Sequence, residues 1–445
     1  MKVLLVNPPF VTKAQLLPPL GMGYLGASLL REGFEVLFLD AALGKNYQES
    51  LGSFKPDVVA ITGLSTQYLS MKEYARMAKS KGITTIVGGV HVSAIPEFVL
   101  EDCEYIDFAV KGEGEYTLPR LLKAVSPIGI PGVYYRNGSV VGSPPEFITE
   151  LDSLPHPWDF LDLADYDGNM VNGILKPRGR QSVAVLSSRG CPYLCTFCSA
   201  SQAQGRKVRL RSIGDWISEL RDLVSKGVEE IQVMDDNFTF YSEKAYHMCD
   251  AMVKEKLNLS WTLPNGIRAD RIDRDLLLKM KESGCYYFGI GVETGSERLL
   301  KEMHKELSLE KVRETVKMSS GLGIITQGFL LTGYPTETKE DRVATSKFVR
   351  GSRLDRISIN AVMPYPGSTL YKTYFTNSEM DWERMHRTTM GMVDPQAKNF
   401  ARNLYLRFYL DPIRLLRHVS KFRTLAQWRS LFGGLLTLIS ETNRR

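Results

Sequence analysis

Two trains of short apolar runs, each alternating with amphipathic stretches, organise the chain. In the first, residues 2–7, 35–40, 58–63, 84–88 and 108–110 are rich in β-branched and aliphatic side chains. Stretches between them, such as 23–32 and 71–80, carry apolar residues at helical spacing. Strand and helix alternating about five times predict a Rossmann-like doubly wound parallel sheet. Ligands of such sheets sit beyond the carboxyl ends of the strands, which singles out the loops after Asn7, Gly63, Gly88 and Lys111. The second train, at 183–187, 230–234, 260–264, 286–291, 326–332 and 356–361, makes six βα units. That number suits a partial (β/α)6 barrel, again with its chemistry at the strand ends.

Between the trains, 126–180 is rich in Pro and Gly, shows little periodicity and reads as an ordered linker. Beyond Tyr371 the pattern turns helical and basic. The expected organisation is a Rossmann-like domain over 1–125, the linker over 126–180, the barrel over 181–375 and a short basic helical C-terminal region over 376–445. This is an α/β chain throughout.

Composition narrows the class. Of 445 residues, 43% are hydrophobic and 24% charged, which excludes a disordered or fibrous chain. No apolar run approaches the roughly 18–20 residues that would cross a bilayer. The apolar start at 3–6 breaks at Asn7-Pro8-Pro9, too soon for a signal peptide, so a cytoplasmic protein is expected. The net charge of +6 is uneven: 398–445 holds ten basic and two acidic residues, a balance of +8 that leaves the preceding 397 residues at −2. That tail mixes Arg407, Arg414, Arg417, Lys421, Arg423 and Arg429 with aromatic and leucine residues. It reads as helices packed on the barrel with a solvated basic face, or as a peripheral contact with an anionic membrane or lipid-like substrate. No nucleic-acid motif accompanies the charge, and no nucleic-acid partner is expected.

Three of the six cysteines fall within eight residues, in Ser188-Arg189-Gly190-Cys191-Pro192-Tyr193-Leu194-Cys195-Thr196-Phe197-Cys198, directly after a predicted strand. Three thiolates on one tight loop suit zinc or an iron–sulfur cluster. A closed zinc site needs a fourth ligand, and none lies nearby in sequence. Three ligands on a four-iron cluster would leave one iron open to an exogenous group. Cys103, Cys249 and Cys285 stand apart and read as packing residues.

This CxxxCxxC spacing, with an aromatic before the last cysteine, resembles the radical S-adenosylmethionine superfamily. Later landmarks follow in order: Gln232-Val233-Met234-Asp235-Asp236-Asn237-Phe238, Gly289-Ile290-Gly291-Val292-Glu293-Thr294-Gly295-Ser296, Phe329-Leu330-Leu331-Thr332-Gly333-Tyr334-Pro335 and Met363-Pro364-Tyr365-Pro366-Gly367-Ser368. The resemblance implies a [4Fe–4S] cluster on Cys191, Cys195 and Cys198, with S-adenosylmethionine chelating the open iron. It implies cofactor contacts from Phe197, Asp235, Asp236, Asn237, Arg268, Glu293, Thr294, Ser296 and Thr332, with Phe197 packed on the adenine.

In the first train, Gly21-Met22-Gly23-Tyr24-Leu25-Gly26 imitates a dinucleotide fingerprint, with Asp40 nineteen residues after Gly21. Thirteen residues separate it from the first strand, whereas the fingerprint needs a tight turn, so these glycines read as permitting close helix packing or approach of a bulky ligand. An α/β unit ahead of a CxxxCxxC barrel resembles the cobalamin-binding subgroup of radical S-adenosylmethionine enzymes. The shared features are Pro18-Pro19-Leu20-Gly21, Gly63-Leu64-Ser65-Thr66-Gln67, Val87-Gly88-Gly89-Val90-His91 and Gly112-Glu113-Gly114-Glu115. The resemblance assigns cobalamin contacts to Pro19, Leu20, Gly21, Leu64, Ser65, Thr66, Gln67, Gly88, Gly89, His91, Gly112, Glu113, Gly114 and Glu115, with 64–67 beneath the cobalt. No DxHxxG motif is present, so a histidine ligand to cobalt is not implied. For His91 the alternative is a loop-capping role. The related methylthiotransferases carry a second cysteine cluster in the first domain, where this chain has Cys103 alone.

The resemblance implies a methyltransferase, moving a methyl group from methylcobalamin to an unactivated carbon of a small-molecule or lipid-like substrate through a 5′-deoxyadenosyl radical. The alternative is ring formation, C–C bond formation or rearrangement, as in tetrapyrrole cyclases. A cofactor-binding sensor or carrier is a third reading. The enzyme readings imply an electron donor such as flavodoxin or ferredoxin, and a monomer is expected.

Overall fold

The structure is a computed structural model and describes residues 1–9, 18–166, 178–179, 181–375, 380–383 and 395–414. Two compact units emerge, one of Met1–Asp165, Ser188–Arg211 and Pro364–Thr389, the other of Tyr166–Ser187, Ser212–Met363 and Met390–Arg445. The expectation grouped 188–211 with the barrel; the packing groups it with the first unit.

The first unit is built on a seven-stranded sheet. Its strands are β1 (Lys2–Asn7), β2 (Glu35–Asp40), β3 (Val58–Thr62), β4 (Thr84–Gly88), β5 (Phe108–Val110), β6 (Val133–Asn137) and β7 (Ser139–Gly142), in the order β2-β1-β3-β4-β5-β6-β7. The first five are parallel. Val3, Leu4, Leu5 and Val6 are fully buried, because helices cover both faces of a central parallel strand. Strand order reverses between β1 and β3, which makes the crevice at their carboxyl ends the natural ligand position. The antiparallel pair β6–β7 comes from the segment expected to be a linker. These strands are short and partly exposed, so their periodicity is weak; Asn137-Gly138, with Gly138 at φ 75°, is the legible turn signal.

The helix Leu20–Arg31 carries the GxGxxG sequence. A Cβ at Gly23 would lie 2.4 Å from Pro157 Cβ, and one at Gly26 would lie 2.1 Å from the Phe160 ring. These two glycines therefore let the 157–161 segment close onto the helix. Gly21 has no atom within 4 Å of the same point and is exposed.

The second unit contains a six-stranded parallel sheet of β8 (Ser182–Val185), β11 (Glu230–Val233), β12 (Ser260–Ile267), β13 (Cys285–Glu293), β14 (Ile325–Thr332) and β15 (Arg356–Ala361). Each strand pairs with the next strand of this sheet along the chain, as in an open (β/α) barrel. Strand β12 runs through Pro264, within the register shift between Leu263 and Ile267 where the ladder is already interrupted. The helix Pro395–Tyr409 packs on β15: the Tyr409 hydroxyl donates to Ile357 O at 3.1 Å and accepts from Ile357 N at 3.2 Å. Arg414 donates to the carbonyls of Leu354, Val349, Arg350 and Ser352, closing the end of the helix Lys339–Gly351. One basic residue of the tail is thus a buried helix cap. Arg417, Lys421, Arg423 and Arg429 lie outside the described residues.

The two glycine environments predict opposite responses. Gly26→Ala should destabilise the protein by about 1–3 kcal/mol through overpacking, while Gly21→Ala should be neutral or stabilising by up to about 1 kcal/mol. Thermal unfolding measures both; equal effects would contradict the packing role.

Candidate functional site

The cysteine segment is a loop pinched at its neck. The strands β9 (Ser188–Arg189) and β10 (Arg209–Leu210) pair antiparallel, setting Arg189 opposite Arg209. Gly190 takes φ 93°, where an added Cβ would lie 2.4 Å from Lys207 O, so the turn into Cys191 requires glycine. Inside the loop, Cys191 N donates to Gly205 O at 3.2 Å and Cys198 N to Cys195 O at 3.1 Å. Cys191 and Cys195 are half-buried, Cys198 is exposed, and none is disulfide-bonded. The Ala200 amide donates to Cys198 Sγ at 3.5 Å, the kind of bond that stabilises a cluster thiolate. Among the described residues no three His, Cys, Asp or Glu side chains converge on one ion position. A four-iron cluster does not require such convergence, since each thiolate takes a different iron. The donor set, three free thiols on one short loop, is of the type that holds an iron–sulfur cluster, and Phe197 is half-buried.

On the far side the loop meets the sequence after β15. Thr196 O accepts from Leu370 N at 2.8 Å, and Gln202 Nε2 donates to Gly367 O at 3.4 Å. The short helix Ser201–Gln204, just past the cysteines, packs on the helix Val90–Ala94, just past β4.

At the crevice between β1 and β3 a polar lattice sets the loop at 64–67. Gln67 Nε2 donates to Pro8 O at 2.6 Å, its Oε1 accepts from Leu64 N at 3.0 Å, and Asn7 Nδ2 donates to Asp40 Oδ1 at 2.9 Å. Ser65 and Gln67 are buried, Thr66 is half-buried, and Leu64 stands 44% exposed at the tip. A leucine carries no lone pair, so this position offers a metal no side-chain ligand. Pro19 and Leu20 start the helix beside the crevice, where Gly21 leaves open space.

His91 was expected to face the cofactor or cap a loop. It is fully buried, its Nδ1 3.0 Å from Ser65 Oγ and its ring 4.4 Å from Tyr68 and 5.2 Å from Trp382. With no exposed surface it braces the 64–67 loop from below. Gly88 ends β4, and Gly89 caps the following short helix, its missing Cβ facing Thr62 Oγ1 at 2.6 Å. Gly112 likewise faces Pro145, and Gly114 faces Leu25.

Glu113 and Glu115 differ from expectation most clearly. Glu113 accepts from Arg189 at 3.1 Å, Arg209 at 2.6 Å and Ile148 N at 2.7 Å, while Glu115 accepts from Arg189 at 2.7 Å. All four side chains are buried, and the carboxylates spend their oxygens on guanidinium groups. Burial alone would lower the Arg189 pKa, but Glu115 and Glu113 outweigh it and hold the pKa above its ordinary value.

In the second unit, most expected side chains brace the strand ends. Asp235 accepts from Ser187 N at 2.7 Å and Ser187 Oγ at 2.6 Å, tying the ends of β11 and β8. Asp236 follows on the same strand end, half-buried. Asn237 keeps its Nδ2 buried without a hydrogen-bond partner, a donor suited to a nucleoside or carboxylate acceptor. Glu293 ends β13 at φ 63° beside a register shift, a strained position of the kind found at ligand sites, and pairs with Lys305 at 2.7 Å. Arg268 donates to Asp270 and to the carbonyls of Lys305 and Glu306, so it braces the turn carrying Lys305. Thr294 bonds Thr345 Oγ1 at 2.9 Å, Ser296 donates to Asp341 at 2.5 Å, and Thr332 donates to Glu337 at 2.9 Å. These three anchor loops to the helix Lys339–Gly351 or the turn before it.

Sequence reasoning missed Ser187 and Lys305, which lie outside the quoted motifs and act through partners 48 and 12 residues away. The remaining cysteines are buried; burial pushes the Cys249 thiol up to about 12 and raises those of Cys103 and Cys285. No described helix is long and apolar enough to cross a membrane.

Comparison with known proteins adds the family context. The Radical SAM superfamily matches residues 185–349 and the B12 binding domain matches residues 10–122. An "uncharacterized methyltransferase" of Pyrococcus horikoshii is 32% identical, over 97% of this chain and 98% of its own length. The cytidylyl-2-hydroxyethylphosphonate methyltransferase of Streptomyces wedmorensis is 28% identical over 87% of this chain and 84% of its own. The anaerobic magnesium-protoporphyrin IX monomethyl ester cyclase of Rubrivivax gelatinosus is 25% identical over 92% and 78%. Among solved structures, the cobalamin-dependent S-adenosylmethionine radical enzyme OxsB shares the fold, with a TM-score of 0.74, 18% identity and coverage of 98% of this chain and 70% of its own.

Burial of His91 makes a pH prediction. Desolvation pushes its pKa down to about 3, with Asp102 opposing only in part. Unfolded, the group titrates near about 6.5, so below that pH the unfolded chain binds a proton the native state refuses. The stability is whole above about 6.5 and falls by roughly 1.4 kcal/mol per pH unit toward the folded value. Denaturant unfolding between pH 6 and 4.5 should show a slope shallower by about that amount in His91→Leu; identical slopes would sink the assignment.

Proposed function

The chain belongs to the B12-binding radical S-adenosylmethionine enzymes, and from that premise we propose that it transfers a methyl group to an unactivated carbon of a small-molecule or lipid-like substrate. Its cofactors are a [4Fe–4S] cluster, S-adenosylmethionine and cobalamin. When bound, they supply one-electron chemistry that makes a substrate radical and a methyl group to meet it. The observation that carries the reading is the packing of the helix after the cysteines on the helix after β4. The loop for the radical-generating cofactors and a loop of the B12-binding domain thus belong to one compact unit, as suits a turnover that uses both.

In this reading Cys191, Cys195 and Cys198 would hold the cluster, and their number would leave it a position for S-adenosylmethionine. In the second unit Asn237 Nδ2 is a buried donor suited to a nucleoside or carboxylate acceptor and Glu293 pairs with Lys305, while in the first Phe197 would offer an aromatic face to an adenine. Leu64, set by Gln67 and braced through Ser65 by His91, would present an apolar side chain with no metal-ligating atom to bound cobalamin. Flavodoxin or ferredoxin would supply electrons to a monomeric, cytoplasmic enzyme.

Ring formation is the second reading, favoured by the cyclase relative that matches nearly the whole chain. Products separate the two. Protein reconstituted anaerobically with iron, sulfide and cobalamin, then reduced and given S-adenosylmethionine and fractionated cell lipids and metabolites, should form S-adenosylhomocysteine and 5′-deoxyadenosine in equal amounts alongside a methylated product. Turnover yielding 5′-deoxyadenosine without S-adenosylhomocysteine would replace methyl transfer with cyclisation. Joint Cys191→Ala, Cys195→Ala and Cys198→Ala replacement should reduce 5′-deoxyadenosine to background while cobalamin absorbance persists.

A further inference from the structure

The motif at 112–115 and the first residues of the cysteine segment meet in a way that neither predicted alone. We propose that Arg189 and Arg209, held by Glu113 and Glu115, are positioning residues for the cluster, so that the B12-binding domain sets the cysteine loop. The proposal rests on the reading of Cys191, Cys195 and Cys198 as cluster ligands.

The loop has one neck, the two-residue ladder in which Arg189 and Arg209 are direct partners. Both guanidinium groups converge on one carboxylate, Arg189 on Glu113 Oε1 and Arg209 on Glu113 Oε2. Arg189 uses its other nitrogen on Glu115 and lies 5.0 Å over the Tyr24 ring. Arg209 also donates to Ile148 O at 2.7 Å and to Gln204 O at 2.5 Å, on the segment that returns from the cysteines. The set holds two positive and two negative charges, each side chain no more than 7% exposed. An apolar neck would close the loop at a lower desolvation cost. What the charges add is direction: a planar fork on two carboxylates fixes the angle of the backbone two residues before Cys191. They also add balance. In a low-dielectric neck, an unpaired charge of either sign would act on a cluster held next to it in sequence.

Redox-poised EPR of the full-length protein, reconstituted with iron, sulfide and cobalamin, tests this. Glu115→Gln leaves an extra positive charge and should raise the midpoint potential of the cluster, because positive charge favours the reduced state. Arg189→Gln leaves an extra negative charge and should lower it. Arg189→Lys keeps the charge and loses the fork; its potential should stay near the wild-type value while its apparent affinity for S-adenosylmethionine, read from the change the cofactor makes in the EPR signal, falls about tenfold. Cobalamin absorbance should hold at the wild-type stoichiometry in all three. The proposal is overturned if Glu115→Gln and Arg189→Gln leave potential and line shape unchanged, or shift the potential in the same direction. Joint loss of cobalamin and cluster in all three would also overturn it, since that marks general unfolding. A wild-type preparation with no four-iron signal would overturn the cluster assignment itself, and this proposal with it.

Discussion

Four charges buried together at the neck of the cysteine loop constrain much of the first unit. A charge out of water is tolerated only beside its partner, and removing one partner typically costs about 3–5 kcal/mol. Arg189, Arg209, Glu113 and Glu115 must therefore be placed together or not at all. Their placement in turn requires the end of β5, the segment at Ile148 and the helix carrying Tyr24 to be where they are. On that helix Gly23 and Gly26 separately admit the 157–161 segment.

The second unit uses its polar strand ends in a related way. Asp235, Arg268, Thr294, Ser296 and Thr332 spend their hydrogen bonds on neighbouring loops. The exceptions include the buried Asn237 amide, whose Nδ2 has no hydrogen-bond partner, and Glu293, held at positive φ and paired with Lys305. Ligand sites in general contact their ligand through a small number of held groups, supported by a larger number of side chains that never touch it. The residue types in the family motifs are the same for both jobs, so the motif alone does not separate holder from brace.

The C-terminal segment shows the same ambiguity for charge. Composition made the tail a candidate surface for membranes, yet Arg414 is a buried cap on four carbonyls and Tyr409 a buried strap on β15. A basic residue near a helix end has two favourable fates, and composition cannot choose between them.

Periodicity alone made the two sheets legible, because continuous apolar runs leave a parallel strand nowhere to go except between layers. The cysteine loop was legible for a similar reason: its three thiolates lie within eight residues, so spacing and geometry are nearly the same statement. The β6–β7 hairpin escaped because it is short and half-exposed, leaving only Asn137-Gly138 as a sign. Chain pattern thus determined which residues share a strand end or a loop. Which strand ends meet was decided by tertiary structure: Arg189 finds Glu113 across 76 residues and Arg209 finds it across 96. No local preference encodes that pairing. It arises when the closed fold brings the neck of the loop to the end of β5, and the cost of an unpartnered buried charge then makes it obligatory.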